Sequence, residues 1–514
     1  MNHGLHIAKH LVDSTPVTPA QRQLVRTRLA DEVGRMDKQA PFTMALCYPS
    51  PYGAGMSSLG FQRIYRSVME TPGMACERVF LDDEAAKDIH AQGIPLSYEG
   101  LRPLSDFPIV SFSVAYEGEI VGMLKMLDMA GIPLLAEQRD GRHPFVLLGG
   151  PLTFSNPLPI AAFADAMIIG EAEELTPQVL ELVRTVPKRA DLLDVLSKID
   201  HVHVPLVHGE NLPLTAKVPN EMLPAWAPIR TPHAVLSDMF LIETERGCSR
   251  TCTYCVMRRS TNGGMRMVQM DKLLSLVPAD AKRVGLVGAA VSDHPKIVDI
   301  VNTLVDQGRE VGLSSLRPDR LSDAFVGALK RGGYRTLTTA MDGPSDRLRG
   351  MLERKAKEQH LLNSAERARA HGMDRLKLYL MIGLPTETND DIDECVKFTR
   401  EISKIVPLSL GIAPFCAKRN TPMDGMGFAG IKTVNDRLDR LKRGVQGKVD
   451  VRSTSSKWAW VEYILAQGGM EEGKALIDVM RAGGKFADHK RALSPFEAKR
   501  AAGDKRRHLA IANV

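Results

Sequence analysis

Short apolar runs alternate with longer amphipathic stretches along most of this 514-residue chain, in two separate series. Strands that alternate with helices predict parallel sheets covered by helices. The first series occupies residues 41–190, and we expect it to form a doubly wound, Rossmann-like domain with ligands at the carboxyl ends of its strands. Its candidate strands are Thr43–Tyr48, Arg78–Leu81, Ile109–Val114, Phe145–Leu148 and Ala166–Ile169.

The second series occupies residues 236–430. Six strand–helix units are too few for a complete eight-fold barrel, so the pattern predicts a partial, open (β/α)6 barrel. We expect its site at the carboxyl ends of the strands. The candidate strands are Phe240–Thr244, Arg283–Val287, Glu310–Ser314, Thr336–Ala340, Leu376–Ile382 and Leu408–Pro414.

The remaining segments complete an α/β organisation. Residues 1–40 read as a helical extension, and the proline-rich residues 191–235 as a linker. Residues 431–514 are predicted to be a mostly helical region that ends in a basic tail.

Composition excludes several classes of protein. Hydrophobic residues make up 44% and charged residues 25%, which argues against a disordered chain. No apolar run reaches the roughly 18 residues of a membrane span, and the N-terminus has no signal-peptide core, so we expect a cytoplasmic protein. The net charge is +6, and basic residues gather between Lys485 and Arg507. They can contact nucleic acid or an acidic partner, but a solvated tail is the simpler interpretation.

Three of the seven cysteines, Cys248, Cys252 and Cys255, lie within eight residues after the first barrel strand. Their spacing is C-x3-C-x2-C, and thiolates suit zinc or iron–sulfur clusters. Three thiolates leave one iron of a 4Fe-4S cluster open, as a catalytic metal site requires. The alternatives are a zinc site, which needs a fourth ligand, and a chance grouping of buried cysteines. We favour the cluster because position and spacing agree.

Together with the aromatic residue before its third cysteine, this motif resembles that of the radical S-adenosylmethionine (SAM) superfamily. Segments after the third, fifth and sixth barrel strands strengthen the resemblance. They are Gly312–Asp319, Tyr379–Thr388 and Pro414–Pro422, which resemble a subgroup related to methylthiotransferases and cobalamin-dependent methylases. Gly149-Gly150-Pro151 in the first domain resembles the cobalamin-binding domain of class B members.

The resemblance implies a mechanism and a set of cofactors. The open iron of the 4Fe-4S cluster would bind SAM, and an electron from the cluster would cleave SAM to a 5′-deoxyadenosyl radical that abstracts hydrogen from an unactivated carbon. The protein orients the reactants and excludes water. An external electron donor is required, and we expect a small-molecule substrate.

The resemblance also suggests site residues. Cys248, Cys252 and Cys255 would hold the cluster. The predicted contacts to SAM are Tyr254, Gly288, Ser314, Arg317, Asp342 and Ile382. Residues Gly288-Ala289-Ala290 depart from the usual Gly-Gly-Glu pattern of the family, so backbone carbonyls can replace the missing carboxylate. Each of these residues can equally be a plain part of the barrel rim.

Three further residues are candidates for catalysis. Asp293 and His294 can serve a substrate as acid, base or hydrogen bond partners. The alternative, which we favour, is a helix cap at Ser292 or Asp293. Cys416 can donate hydrogen or form a transient adduct with substrate, although a buried structural cysteine is the more common case.

The first domain has no Asp-x-His-x-x-Gly motif to supply a histidine to cobalt. Many radical SAM relatives bind the corrinoid without one, so we still expect cobalamin. The residues expected at its cleft are Ser113, Gly149, Gly150, Gly170 and Glu171.

The leading hypothesis is therefore a cobalamin-dependent methyltransferase that acts on an unactivated carbon. One alternative is radical chemistry without the corrinoid, such as rearrangement, oxidation or RNA modification. Thiolation is disfavoured because no second triple of cysteines exists. A non-catalytic iron–sulfur or zinc protein is the remaining alternative.

Overall fold

The computed structural model describes residues 18–83, 87, 93–257 and 264–501. The first 17 residues of the predicted helical extension, and the basic tail beyond residue 501, lie outside this part of the chain. Within it, α1 (Pro19–Ala30) begins where the sequence provides a cap. The Thr18 hydroxyl accepts the Gln21 N–H, the Gln21 side chain accepts the Thr18 N–H, and proline occupies the first turn.

The first domain is built on a six-stranded sheet. The strands run in the order β2-β1-β3-β4-β5-β6, and the first five are parallel while β6 is antiparallel to β5. They are β1 (Phe42–Tyr48), β2 (Met74–Phe80), β3 (Ile109–Ser113), β4 (Phe145–Gly149), β5 (Ala166–Ile168) and β6 (Val202–His203). The strand order reverses direction at β1, so the carboxyl ends of β1 and β3 border the cleft where doubly wound domains bind ligands.

Helices cover both faces of this sheet, which confirms the predicted doubly wound class. Successive β1 residues alternate between the two cores: Cys47 belongs to the core that contains Met123, whereas Leu46 belongs to the core that contains Phe61 and Leu180. The helices of this domain are α2 (Tyr52–Gly55), α3 (Leu59–Glu70), α4 (Ile120–Met129), α5 (Leu158–Ala161), α6 (Leu175–Thr185), α7 (Arg189–Leu196) and α8 (Pro205–His208). Residues 191–235, predicted to be a linker, contain β6 and α8. These elements are too short to show the hydrophobic periodicity of a strand or helix in the sequence.

The second domain is a partial barrel divided into two parallel sheets. Their orders are β11-β10-β7 and β12-β13-β14-β15, and β8 and β9 form a small antiparallel pair beside them. The strands are β7 (Met239–Glu243), β8 (Glu245–Arg246), β9 (Arg266–Met267), β10 (Arg283–Val287), β11 (Glu310–Leu313), β12 (Thr336–Asp342), β13 (Arg375–Ile382), β14 (Leu408–Pro414) and β15 (Val449–Ser453).

All six predicted barrel strands are present, and β15 adds a seventh in the region predicted to be mostly helical. β15 is parallel to β14 at the edge of its sheet. Its five residues carry two charges, Asp450 and Arg452, on the side left partly open to solvent, so its apolar signal is weak. The region is mostly helical, as predicted, and this strand is an element that the sequence did not indicate.

Helices cover the outer side of the barrel and continue to the C-terminus. They are α9 (Met270–Ser275), α10 (Ile297–Asp306), α11 (Asp323–Arg331), α12 (Asp346–Met351), α13 (Glu358–Ala370), α14 (Asn389–Ser403), α15 (Ile431–Val445), α16 (Ser456–Ala466), α17 (Met470–Ala482) and α18 (Phe486–Ala501). None of the helices in the described residues combines the length and apolarity that crossing a membrane requires.

The last three helices return to the first domain. Trp460 and Ile464 of α16 and Leu476 of α17 belong to the same core as α4 and α5. The buried Asn156 amide donates to the carbonyls of Ala466 (3.1 Å) and Gly468 (2.8 Å). The C-terminal helices therefore complete the core on one face of the first sheet.

Candidate active site

The three clustered cysteines lie on one loop after β8, and all three line a cavity of about 450 Å³. Thr253 fixes the loop, since its N–H donates to the Leu352 carbonyl at 3.1 Å. None of the three cysteines forms a disulfide. Among the described residues, no group of three His, Cys, Asp or Glu side chains is already gathered on one metal position. The loop thus offers three soft donors at one cavity, a donor set that fits an iron–sulfur cluster with three protein ligands.

Burial makes two of these thiols weaker acids than an ordinary cysteine. It raises the pKa of Cys255 to about 11 and raises that of Cys248 as well. Because metals bind the thiolate, metal binding at this loop must release protons. The Arg354 guanidinium lies 3.9 Å from the Cys252 sulfur and adds positive charge beside the donors.

The resemblance predicts that Tyr254 and Asp342 both contact SAM, and the structure places their side chains in contact with each other. The Tyr254 hydroxyl donates to Asp342 Oδ1 at 3.0 Å, and Arg354 forms an ion pair with the other carboxylate oxygen. Burial raises the pKa of Asp342, against the lowering effect of Arg354. Arg354 was not predicted from the sequence, because it belongs to no recognisable motif.

Gly288 and Ser314 also lie together, at the ends of β10 and β11. The Ser314 hydroxyl accepts the Gly288 N–H at 3.0 Å and donates to the Gly288 carbonyl at 2.7 Å. Gly288 is required here, since a Cβ would lie 1.9 Å from Glu245 Oε1. Sequence reasoning missed Glu245, whose carboxylate lies beside Gly288-Ala289-Ala290, the segment in which this chain lacks the glutamate of the family pattern.

Glu245 is a buried carboxylate, 1% exposed. It accepts hydrogen bonds from the Thr244 hydroxyl and from the Ala290 N–H, the latter at 2.9 Å. Burial raises the pKa of Glu245 to about 7, because these two hydrogen bonds only partly replace the lost solvation.

Asp293 and Arg317 belong to a network of charges that joins the cysteine loop to the loop after β11. Asp293 pairs with Arg250 at 2.9 Å and with Arg320 at 3.2 Å, and Arg317 pairs with Asp319 at 3.1 Å. Burial acts to raise the pKa of Asp293, but the Arg250 hydrogen bond and the neighbouring arginine charges outweigh it, so that pKa is lowered. Arg317 lines the cavity and Asp293 does not.

His294 has both ring nitrogens engaged. Nδ1 accepts the Lys296 N–H at 3.1 Å, so Nε2 carries the proton and donates to the Val268 carbonyl at 2.9 Å. The ring is 4% exposed. The favoured helix-cap interpretation does not hold, because α10 begins at Ile297 and the Ser292 hydroxyl instead accepts the Arg317 N–H.

Ile382 and Cys416 lie away from the cavity lining. Ile382 is fully buried on the outer face of β13, among the core of the barrel. The Cys416 thiol donates to the Ala459 carbonyl of α16 at 3.1 Å, and burial raises its pKa.

A second cavity, of about 530 Å³, lies at the cleft of the first sheet between the ends of β1 and β3. Its walls include Pro49, Ser50, Tyr116, Glu117, Trp458 and Glu462. Lys418, after β14 of the barrel, pairs with Glu117 at 2.8 Å and with Glu462 at 2.7 Å. The cleft is therefore bordered by the first domain, the barrel rim and α16.

The residues predicted to contact the corrinoid differ in how much open space lies beside them. A Cβ at Gly149 would meet nothing within 4 Å, whereas one at Gly150 would lie 2.7 Å from the Val114 backbone and 3.0 Å from the Ser113 hydroxyl. Gly170 packs against the backbone of Ala216.

Glu171 accepts the Val218 N–H at 2.9 Å and forms ion pairs with Arg246 and Arg266. The chain itself thus fills the space beside Gly170 and Glu171, while the loops after β1 and β3 face the cavity.

Comparisons with known proteins match both domains. The family described as "Radical SAM proteins, N-terminal" matches residues 60–205, and that described as "Radical SAM superfamily" matches residues 242–399. The chain is 26% identical to an uncharacterized protein of Methanocaldococcus jannaschii over 74% of this chain and 79% of that protein.

It is also 22% identical to an uncharacterized methyltransferase of Pyrococcus horikoshii, over 56% of this chain and 65% of that one. The ribosomal protein uS12 methylthiotransferase of Geotalea uraniireducens is 24% identical over 46% of this chain and 55% of its own length.

Two solved structures share the fold. The radical SAM methyltransferase TsrM from Kitasatospora setae, with cobalamin and a [4Fe-4S] cluster bound, superposes with a TM-score of 0.53 at 11% identity, over 90% of this chain and 99% of that one. The cobalamin-dependent SAM radical enzyme OxsB, with aqua-cobalamin and SAM bound, superposes with a TM-score of 0.50 at 12% identity. The superposition covers 89% of this chain and 71% of that one.

Proposed function

This chain belongs to the radical SAM superfamily, and we propose that within it the protein is a cobalamin-dependent methyltransferase acting on an unactivated carbon. The observation that carries the proposal is the single cavity lined by all three cysteine thiols together with Tyr254, Ser314 and Arg317. The fold shared with two cobalamin-dependent enzymes supports the corrinoid half.

The bound cofactors would supply the chemistry: a 4Fe-4S cluster provides the electron that cleaves SAM, and a corrinoid carries the methyl group. Cys248, Cys252 and Cys255 would hold the cluster. The protein's own residues then bind and orient SAM. Tyr254, held by Asp342, offers a rigid aromatic ring beside the third cysteine.

The polar groups of the cavity offer further contacts to SAM. Ser314 and Ser315 follow β11, and their hydroxyls donate to the Gly288 carbonyl at the end of β10; Arg317 lines the same cavity. Arg317 is 4% exposed, and its ion pair with Asp319 fixes the guanidinium in place. A guanidinium held in the wall of this cavity suits the carboxylate of a ligand such as SAM.

The cleft between β1 and β3 is where we place the corrinoid. The cavity there has a volume of about 530 Å³, and its walls come from the first domain and from α16. Gly118 and Gly122 line this cleft, whereas Gly149, although it has open space beside its Cα, is not among the residues that line it. The Lys418–Glu117 ion pair, at 2.8 Å, joins this cleft to the barrel rim.

The decisive experiment reconstitutes the full chain without oxygen, using iron, sulfide and hydroxocobalamin, and desalts it before analysis. We expect bound iron and cobalt, and 5′-deoxyadenosine after addition of SAM and dithionite. Iron without cobalt would refute the corrinoid half and leave the superfamily assignment intact. Iron and cobalt without any cleavage of SAM would refute the radical enzyme.

A pair of cysteine variants provides the matched control. Cys255→Ala removes a thiol from the cavity, and we expect it to lose both the iron–sulfur absorption and the cleavage of SAM. Cys395→Ala removes a fully buried thiol of α14 and should retain both. Equal losses in the two variants would mean that the cavity thiols are not the cluster ligands.

A further inference from the structure

Several side chains on the concave face of the four-stranded sheet lie outside the hydrophobic core. Along β13 the exposure alternates, and Leu378 and Leu380 pack into the core beneath the outer helices. Lys377 and Tyr379 therefore lie on the opposite, concave face. Tyr379 also lines the cavity that holds the three cysteines. This face is continuous with the candidate active site.

Tyr379 is a large aromatic residue that is 47% exposed in the middle of a barrel strand. Its neighbours in register are small, Ala340 on β12 and Gly411 on β14. A Cβ at Gly411 would lie 2.6 Å from two ring carbons of Tyr379, so the ring rests against the glycine backbone. Small residues on both sides thus support a flat aromatic surface that is open to the cavity.

Lys377 adds an unneutralised positive charge to this surface. Its ammonium lies over one face of the Tyr379 ring, 4.6 Å from the centroid, in a cation–π contact. The neighbouring cations Arg375 and Arg452 share Asp450, at 3.6 Å and 3.3 Å. No carboxylate of the described residues pairs with Lys377, so the concave face carries net positive charge beside its aromatic ring.

The cationic residues of the cavity itself are already paired. Arg317 forms an ion pair with Asp319 at 3.1 Å, and Arg354 forms one with Asp342. Lys377 is therefore the cation that a negatively charged ligand in this part of the barrel can neutralise most easily, because a paired arginine must first give up its carboxylate.

We propose that Lys377 and Tyr379 form the substrate-binding surface, and that the substrate is a planar, unsaturated ring bearing an anionic group. The ring stacks on Tyr379, and the anionic group, a carboxylate or a phosphate, pairs with Lys377. Tyr379 lines the cavity that also holds Cys248, Cys252 and Cys255, so a ring stacked on Tyr379 would lie at that cavity. This inference rests on the proposed function, for which it names the substrate class.

The test measures binding of four small probes to the reconstituted full chain by ligand-observed NMR titration. Three share one ring system: 2-naphthoate, 2-naphthyl phosphate and 2-naphthylmethylammonium. The fourth, cyclohexanecarboxylate, keeps the anion and lacks the aromatic ring. We expect an anionic naphthyl probe to bind roughly tenfold more tightly than the cationic probe and than the saturated probe. The tighter of carboxylate and phosphate identifies the anionic group.

Variants of the surface and a matched control assign the binding to this place. Lys377→Met and Tyr379→Leu should each weaken the anionic naphthyl probe by about fivefold or more, while Tyr379→Phe keeps the ring and the affinity. Lys397→Met removes an exposed lysine on the outer helix α14 and should leave binding unchanged. Circular dichroism spectra of all variants establish that each is folded.

Gly411 provides an internal check. Gly411→Ala places a methyl group against the ring and should weaken the probe in the native background. In the Tyr379→Leu background the same change should cost nothing further, because the ring that it displaces is gone.

The outcomes separate this inference from the proposed function. Equal binding of the cationic and anionic probes, or equal affinities for Lys377→Met and Lys397→Met, would overturn the substrate class even if the wild-type chain cleaves SAM. Probe binding that depends on Lys377 and Tyr379 would uphold the surface even in a preparation that forms no 5′-deoxyadenosine, and the failure would then lie with the proposed function.

Discussion

The buried carboxylate of Glu245 makes the stability of this chain depend on pH in a way that a single substitution removes. Glu245 is 1% exposed, and burial raises its pKa from 4.5 to about 7. A carboxyl whose pKa is higher in the folded state favours folding while it is protonated. This contribution is fully present below pH 4.5 and is lost as the pH rises through about 7.

The size of this change in folding free energy follows from the shift in the pKa of Glu245. Each pKa unit corresponds to ~1.4 kcal/mol, so ionisation of Glu245 costs about 3 kcal/mol of folding free energy at high pH. About 2–3 kcal/mol of this loss develops between pH 5 and pH 8. Glu245→Gln has nearly the same shape, can still accept the Ala290 N–H, and cannot ionise. We therefore expect the variant to gain stability relative to wild type as the pH rises.

Urea unfolding of the full chain at several pH values between 5 and 8 measures this difference. Other titrating groups cancel, because they are common to both proteins. Glu366→Gln, on the exposed side of α13, is the matched control and should track wild type at every pH. A difference between Glu245→Gln and wild type that stays constant across this range would refute the reasoning, because it would mean that Glu245 is not an uncompensated buried carboxyl.

Three further perturbations test other parts of the structure. Burial lowers the pKa of His203 from 6.5 to about 4, so the neutral ring stabilises the fold above pH 6.5. About 3 kcal/mol of unfolding free energy is lost as the pH falls from 6.5 to 4. In urea unfolding, His203→Leu should not show this loss of stability at low pH. Asn156→Ala leaves buried carbonyls without donors and should cost about 2–4 kcal/mol in urea unfolding, with faster proteolysis near α17. Lys418→Met leaves the 2% exposed Glu117 unpaired and should cost about 3–5 kcal/mol, most of which the added Glu117→Gln should restore in thermal unfolding.

Much of the fold follows from patterns that are local in the sequence. Most strands of the two domains appear in the sequence as apolar runs, and the cysteine spacing marks the loop that lines one of the two cavities. β15 and β6 escaped because an edge strand of a few residues buries too little apolar surface to show a clear pattern.

The contacts within the site were harder to predict than its location. Tyr254 and Asp342 meet across 88 positions, and the third member of their group, Arg354, carries no motif. Glu245 lies beneath Gly288 because two strand ends converge, which is a property of the tertiary structure. Conversely, Gly170 looks like a ligand-binding glycine in sequence, but backbone from the following segment occupies the space beside it.

The return of α16 and α17 to the first domain has a consequence for how this protein is made. The ribosome delivers the first sheet early, but the helices that complete the core on one of its faces emerge only after the whole barrel has been synthesised. Until then Ile120, Met123 and Leu124 of α4 lack their partners in α16 and α17. The first sheet is thus not a module that can be cut out and expressed alone, and a shortened version needs α16 and α17 grafted back, by circular permutation or as a second polypeptide.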